Sequence, residues 1–290
     1  MNRGVVGIGI ATMDIYLHHR RMYPGGNEYN IAYNAKRLGV RSGFMGIFAN
    51  DKVGELLQST LIDAGVDISH SHHEVGSSGY ALVNLVDGER VFLDWNKKGV
   101  TDLYPFEFTI EEIEYIRSFD IACISWGARV SPEKIRMLAG AGVPICYDFY
   151  DNFTEREISC IAPFIRLAFF SGSHLTNQEI EEVLKGCLSH GCELAVVTRG
   201  CEAAIAYDGK TYYEQPIVKV KATDTMGAGD SFISAFVTNY FSECEQSSEN
   251  KIKQSLKAAA EFAATVVVKD GSLGIGYEVD PERLDKIINL

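Results

Sequence analysis

The stretch of sequence that says most about the fold is Asp224-Thr225-Met226-Gly227-Ala228-Gly229-Asp230-Ser231, which runs directly into the amphipathic segment Phe232–Tyr240. The small residues Gly227, Ala228 and Gly229 allow a backbone to approach an anion closely. The first amides of a following helix point outward and carry the positive end of its dipole. The stretch therefore predicts a loop that leads into a helix and binds a phosphoryl group at the junction.

Asp230 stands at the start of this predicted helix. Its carboxylate can reach a hydroxyl that lies in line with the bound phosphoryl group. The helix dipole favours the ionised form, and a weak base suffices because the hydroxyl proton is accepted late in phosphoryl transfer. From the residues alone, the alternative is that Asp230 is a helix N-cap and that the glycines only form a turn.

On either side of this stretch, short apolar runs alternate with longer amphipathic segments, which is typical of a parallel sheet flanked by helices. We predict an α/β fold with three layers, built as a single domain over residues 1–290. The predicted strands are Val5–Ile10, Gly43–Ile47, Ile121–Ser125, Pro144–Asp148, Leu167–Phe170 and Leu194–Thr198. The predicted helices are Asn27–Leu38, Gly54–Ala64, Ile110–Arg117, Pro132–Ala139, Gln178–His190, Asp230–Tyr240 and Ile252–Lys269.

One segment breaks this alternation. Ser78–Trp95 alternates with period two around the turn pair Asp87-Gly88, which predicts an antiparallel hairpin. Together with a short strand near Ala11–Leu17, it predicts a small β-sheet lid formed by about residues 11–17 and 78–97. We expect this lid to project from the α/β core over the substrate.

A second polar site is predicted near the N-terminus, where Pro24-Gly25-Gly26-Asn27-Glu28-Tyr29-Asn30 leads into a helix. The glycines permit close backbone approach, and the amides of Asn27 and Asn30 both donate and accept hydrogen bonds, as recognition of a polyol requires. The alternative is an ordinary Asn-capped helix.

Both stretches resemble signatures of one family, the ribokinase-like (pfkB) carbohydrate kinases. Asp-Thr-x-Gly-Ala-Gly-Asp over 224–230 resembles the C-terminal signature, and the glycine pair with Asn30 four residues after Gly26 resembles the N-terminal one. The resemblance extends from Gly9 through Gly274. It implies a ribokinase-like fold and transfer of a phosphoryl group from ATP to a sugar hydroxyl.

The resemblance also implies roles for individual residues. Asp230 is implied as the catalytic base, with Gly227, Ala228 and Gly229 as the anion hole. The implied sugar-binding residues are Asp14, Gly25, Gly26, Asn27 and Asn30.

The implied nucleotide and ion sites are less regular. Val197-Thr198-Arg199-Gly200 resembles the family's nucleotide segment and implies that Thr198 and Gly200 lie beside ATP, although Ala203 stands where the family often has a glycine. Asp224 and Thr225 are implied in binding potassium. The family's Asn-x-x-Glu element is missing from Ser171–Glu179, so Glu179 is our choice for organising Mg²⁺ through water.

Weaker similarities, in Ala64–His70 and Ile124–Gly127, are to the fructoselysine kinases of this family. They imply that a ketose or a glycated amine such as fructoselysine is phosphorylated on its terminal hydroxyl. Another ketohexose or a nucleoside stays open as substrate. Outside this reaction class, a sugar-binding protein without catalysis and a dinucleotide-binding enzyme are the alternatives, the latter from Gly7-x-Gly9-x-x-Thr12, which lacks the third glycine.

The composition limits the partners and the location. A formal charge of −12 argues against binding nucleic acid. Seven scattered cysteines without a C-x-x-C pair indicate reduced thiols and a cytoplasmic protein. No apolar stretch predicts a membrane span.

His70, His72 and His73 cluster without an acidic partner at metal-ligand spacing, which favours solvated side chains. A homodimer that pairs its lids is expected by analogy with the family.

Overall fold

The computed structural model describes residues 4–86, 89–242 and 247–279, and the side chains of residues 85–92 lie outside that description. The predicted turn pair Asp87-Gly88 is among the residues that are not described. The strands are β1 (Gly4–Gly9), β2 (Thr12–Tyr16), β3 (Arg21–Gly25), β4 (Arg41–Ala49), β5 (His72–Glu74), β6 (Gly79–Val86), β7 (Glu89–Trp95), β8 (Ile121–Ser125), β9 (Ile145–Asp148), β10 (Leu167–Ser171), β11 (Leu194–Arg199), β12 (Glu202–Tyr207), β13 (Tyr212–Gln215) and β14 (Tyr277–Glu278). The α-helices are α1 (Asn27–Arg37), α2 (Lys52–Ala64), α3 (Val100–Leu103), α4 (Ile110–Arg117), α5 (Pro132–Gly140), α6 (Glu155–Ile161), α7 (Asn177–Ser189), α8 (Ala228–Tyr240) and α9 (Ser248–Val266).

Within these residues the larger sheet has nine strands in the order β13-β12-β11-β10-β9-β8-β1-β4-β5. It is parallel from β11 to β5, whereas β12 and β13 are antiparallel. The strand order reverses beside β1, which pairs with both β4 and β8. In open α/β sheets, ligands bind at the carboxyl ends of the strands next to such a reversal.

Helices cover both faces of this sheet, which confirms the predicted three-layer α/β arrangement. Successive residues of β1 show this, because Val5 belongs to the apolar cluster that includes residues of α1, α8 and α9, whereas Val6 belongs to the cluster that includes residues of α4, α5 and α7. A strand buried on both faces reads as a continuous apolar run rather than an alternating one.

The second sheet has the order β14-β3-β2-β6-β7 and pairs β2 in parallel with β6. The segments predicted to form a small separate sheet therefore do so. Their action as a lid, and the division of residues 1–290 into one domain with a lid, stay predictions. The strand β3 was not predicted, since Pro24-Gly25 at its end reads in sequence as a turn.

Helix α8 begins two residues earlier than predicted. Gly227 is its N-cap with φ 73°, a left-handed conformation that favours glycine. Asp230 is the third helical residue, so the interpretation of Asp230 as the N-cap was wrong. In the described part of the chain, no helix is long and apolar enough to cross a membrane.

Candidate active site

The candidate base lies in the first turn of α8. Asp230 is 7% exposed, and its Oδ2 accepts a hydrogen bond of 2.6 Å from the Nδ2 of Asn30. The backbone amides of this first turn have no partner four residues earlier in the helix. They lie where the sequence places the anion hole, at Gly227, Ala228 and Gly229.

Asn30 joins the N-terminal and C-terminal motifs. While its Nδ2 donates to Asp230, its Oδ1 accepts a hydrogen bond of 2.9 Å from the Ser272 hydroxyl, which also donates to the carbonyl of Pro24. The two motifs, 200 residues apart in sequence, thus meet at one buried pair.

Asp14 lies beside the first glycine of the Gly25-Gly26 pair. Asp14, on β2, is buried, and a Cβ at Gly25 would lie 2.6 Å from its Oδ2. Gly26 is the N-cap of α1 with φ 113°, and a Cβ there would collide with the carbonyl of Ile10. Both glycines are needed because the backbone, rather than a side chain, approaches its neighbours here.

Asn27 points to a residue that was not predicted. Its Nδ2 donates to Oδ2 of Asp148, at the carboxyl end of β9, over 3.5 Å. The Oδ1 of Asp148 accepts a hydrogen bond of 3.0 Å from the amide of Tyr150, whose φ of 61° is unusual for a residue other than glycine.

Glu28 is a second unpredicted acidic residue at the site. It is fully buried, and its Oε2 accepts a hydrogen bond of 3.0 Å from the amide of Ile10. A Cβ at Gly7 would collide with the backbone of Glu28, and a Cβ at Gly9 would collide with its carboxyl group. The Gly7-x-Gly9 pattern thus makes room for α1 and the Glu28 side chain, a physical role that needs no dinucleotide.

Burial controls the electrostatics of this acidic pair. Burial, with a smaller contribution from the negative charge of Asp230, raises the pKa of Asp148 to about 8 and that of Glu28 to about 7. Burial also raises the pKa of the neighbouring Tyr147 and Tyr150 hydroxyls.

The raised pKa of Glu28 predicts a pH-dependent stability. Between the ordinary value of 4.5 and the raised value of about 7, the folded protein holds a proton that the unfolded chain has lost, so stability falls as pH rises through this window. Glu28→Gln should reduce the stability lost over this window by on the order of 3 kcal/mol, while the loss due to Asp148, whose pKa is also raised, remains. Thermal unfolding at about pH 5 and about pH 8 measures it.

Glu261→Gln is the matched control, because Glu261 is exposed on α9. It should unfold with the same pH dependence as the wild type. A Glu28→Gln protein that loses as much stability as the wild type between the two pH values would show that Glu28 is ionised throughout.

Beside the first turn of α8 lies a cavity of about 430 Å³. This volume is within the usual range for a small-molecule site. Apolar residues of α8, α9 and 217–222 line one part and polar groups of β10 to β12 line another. The lining includes five residues predicted from the sequence: Thr198 and Gly200 of the nucleotide segment, Thr225, and Ala228 and Gly229 of the anion hole.

Asp224 does not line this cavity. Its carboxylate accepts hydrogen bonds from the hydroxyl of Tyr16 and from the amides of Met226 and Gly271. Because Tyr16 belongs to β2, Asp224 connects the loop that precedes α8 to the second sheet. This arrangement orders the loop, whereas the role of Asp224 in potassium binding stays a prediction.

Glu179 lies apart from the cavity lining. It is exposed and forms a capping box with Thr176, whose amide and hydroxyl both donate to its Oε2. Its role in organising Mg²⁺ stays a prediction. No group of three or more acidic, histidine or cysteine side chains suited to a metal occurs in the described residues, and His72 pairs with Glu112 instead.

Asp148, Glu28 and Ser272 are thus the site residues that sequence reasoning missed. Asp148 carried a signal, since it ends a predicted strand of a parallel sheet. Glu28 lies inside the quoted Asn27–Asn30 stretch, but acidic residues in a first helical turn are common. Ser272 carries no local signal.

Comparison with known proteins places these features in context. The model of the pfkB family of carbohydrate kinases matches residues 5–138 and 166–275. Fructosamine kinase FrlD of Bacillus subtilis (strain 168) is 34% identical over 282 residues, which is 97% of this chain and 95% of that protein. Fructoselysine 6-kinase of Escherichia coli (strain K12) is 29% identical over 266 residues, or 91% of this chain and 97% of that protein.

Among solved structures, the ribokinase of Arabidopsis thaliana complexed with ribose and ATP superposes with a TM-score of 0.79 at 20% identity. The match covers 100% of both chains. At this identity it shows a shared fold.

Proposed function

Because the chain belongs to the pfkB family of carbohydrate kinases, we propose that it transfers the γ-phosphoryl group of ATP to the terminal hydroxyl of a glycated amine such as fructoselysine. The observation that carries this proposal is the hydrogen bond between Asn30 and Asp230, which follows directly after the cavity-lining residues Ala228 and Gly229 in the first turn of α8. It joins the predicted polyol-binding motif to the candidate base and to the predicted anion-binding turn. The names of the relatives at 34% and 29% identity support the substrate class.

The geometry supports the following reaction. ATP occupies the cavity with its γ-phosphate at the first turn of α8, where backbone amides stabilise the charge that develops on the phosphoryl oxygens. Asp230 accepts the proton of the sugar hydroxyl as its oxygen bonds to phosphorus and ADP leaves. Asn30 orients the Asp230 carboxylate and presents its amide to the sugar.

The ions belong to the proposal in different degrees. Mg²⁺ usually binds to substrate phosphates and keeps several waters, so the absence of a metal cluster among the described side chains is compatible with its arrival on ATP. When bound it neutralises phosphate charge. The carboxylate oxygens of Asp224 already accept hydrogen bonds from the amides of Met226 and Gly271, and this arrangement gives no support to a potassium site at Asp224.

A cytoplasmic location and a homodimer are the remaining parts of the proposal. The exposed side chains of Leu93 and Trp95 on β7, the edge strand of the second sheet, support pairing of two such sheets.

The test is a coupled assay of ADP release over fructoselysine, fructose, ribose and adenosine with saturating MgATP. We expect the highest kcat/KM with fructoselysine. Preference for adenosine would replace the substrate class, and tight sugar binding without ADP release from any of these compounds would favour the sugar-binding protein without catalysis.

A further inference from the structure

The part of the candidate site that we propose binds the sugar contains more buried acidic residues than phosphoryl transfer requires. Glu28, Asp148 and Asp230 are all buried, although one carboxylate suffices as base. The partners of Asp148 are neutral, namely the amide of Asn27 and the backbone amide of Tyr150. Oε1 of Glu28 is buried and accepts no hydrogen bond from any described residue.

Burying several ionisable carboxyl groups together costs free energy unless a partner compensates for their charge. Buried polar atoms normally have partners, and buried carboxylates repel one another when ionised. The nearby Ser125 hydroxyl favours ionisation of Glu28 only partly, since the pKa of Glu28 remains raised. A cation that enters with the substrate would neutralise the charge of Asp148 and Glu28 when they ionise.

The spacing along α1 indicates which part of the substrate meets this pair. Asn30 contacts Asp230 and Asn27 contacts Asp148. Side chains three residues apart on a helix are about 5–6 Å apart, so Asp148 lies about one helical turn from the base. A hexulose whose terminal hydroxyl meets Asp230 extends its other end, which bears the nitrogen of a glycated amine, over a comparable distance.

Resting on the function proposed above, we infer that Asp148, with the carboxyl group of Glu28 nearby, binds the substituted ammonium group of the substrate. This group distinguishes a glycated amine from the parent ketose. Fructose presents a neutral hydroxyl at the same carbon and leaves the acidic pair without a cation. The pair would therefore select the cationic substrate, because the neutral one provides no positive charge to stabilise the ionised carboxylate of Asp148.

The test compares two substrates that differ at one position, 1-amino-1-deoxyfructose and fructose. Their kcat/KM values are measured for the wild type, Asp148→Asn and the control Asp151→Asn, whose side chain is exposed in the same loop. The wild type should prefer the amine, and Asp148→Asn should reduce the ratio of the two values at least about tenfold. Asp151→Asn should keep the wild-type ratio.

The remaining outcomes separate the two proposals. If the amine is phosphorylated but Asp148→Asn reduces both kcat/KM values equally, Asp148 has a structural role and this inference is wrong while the kinase function stands. If neither fructoselysine nor the amine is a substrate, both fall. Should Asp148→Asn fail to fold, equal kcat/KM of the wild type for the two compounds would overturn the inference by itself.

Discussion

Asp230→Asn is expected to lower kcat by about 10²–10⁴ while the protein folds and binds ATP nearly as the wild type does. Asparagine has the same shape, and its Oδ1 can still accept the hydrogen bond from Asn30. Because Gly227 rather than Asp230 is the N-cap of α8, the substitution removes no cap. What it removes is acceptance of the proton from the sugar hydroxyl.

The measurement is kcat for ADP formation on the best sugar, beside melting temperatures with and without ATP. Ser231→Ala is the control, since it changes the same helical turn and removes a hydroxyl that donates back to the Ala228 carbonyl. It should retain most of the turnover. Near-normal turnover by Asp230→Asn would place the base elsewhere and refute the mechanism.

Asn30→Ala should lower kcat/KM for the sugar by about 10–100-fold, because a lost hydrogen bond to a charged group costs about 1.5–3 kcal/mol. The substitution removes the amide that we propose contacts the sugar and that donates a hydrogen bond of 2.6 Å to Oδ2 of Asp230. We expect the KM for the sugar to rise and kcat to fall, since the base loses the group that orients it. The KM for ATP should change little.

Asn34→Ala provides the matched control for Asn30→Ala. Asn34 lies one turn further along α1 and is equally buried, but its Oδ1 accepts from Arg37. Its removal should change the melting temperature and leave both KM values close to those of the wild type. Equal weakening of ATP and sugar binding by Asn30→Ala would show that the sugar site has been misplaced.

Patterns that are local in sequence predicted most of the fold. The strand Ile121–Ser125 and the helix Ile110–Arg117 were predicted to the residue, because apolar periodicity and turn residues act over a few positions. Helix α8 was predicted two residues short, since the small residues Ala228 and Gly229 read as loop. The turn from loop to helix before α8 and the positive end of the helix dipole are likewise properties of a few neighbouring residues.

The sequence by itself thus determined the layered α/β architecture and the glycine-rich turn before α8, and it predicted the phosphate-binding role of that turn and the identity of its candidate base. Only the tertiary structure decided that Asn30 contacts Asp230, that Asp148 joins Asn27, and that Glu28 fills the space left by Gly7 and Gly9. The physical reason is that burial and proximity between distant segments, rather than residue type, set a side chain's partners and the pKa of its carboxyl group. From sequence alone, a glutamate in the first turn of a helix is expected to be exposed to solvent. Glu28 is instead buried by the packing of α1 against the sheet.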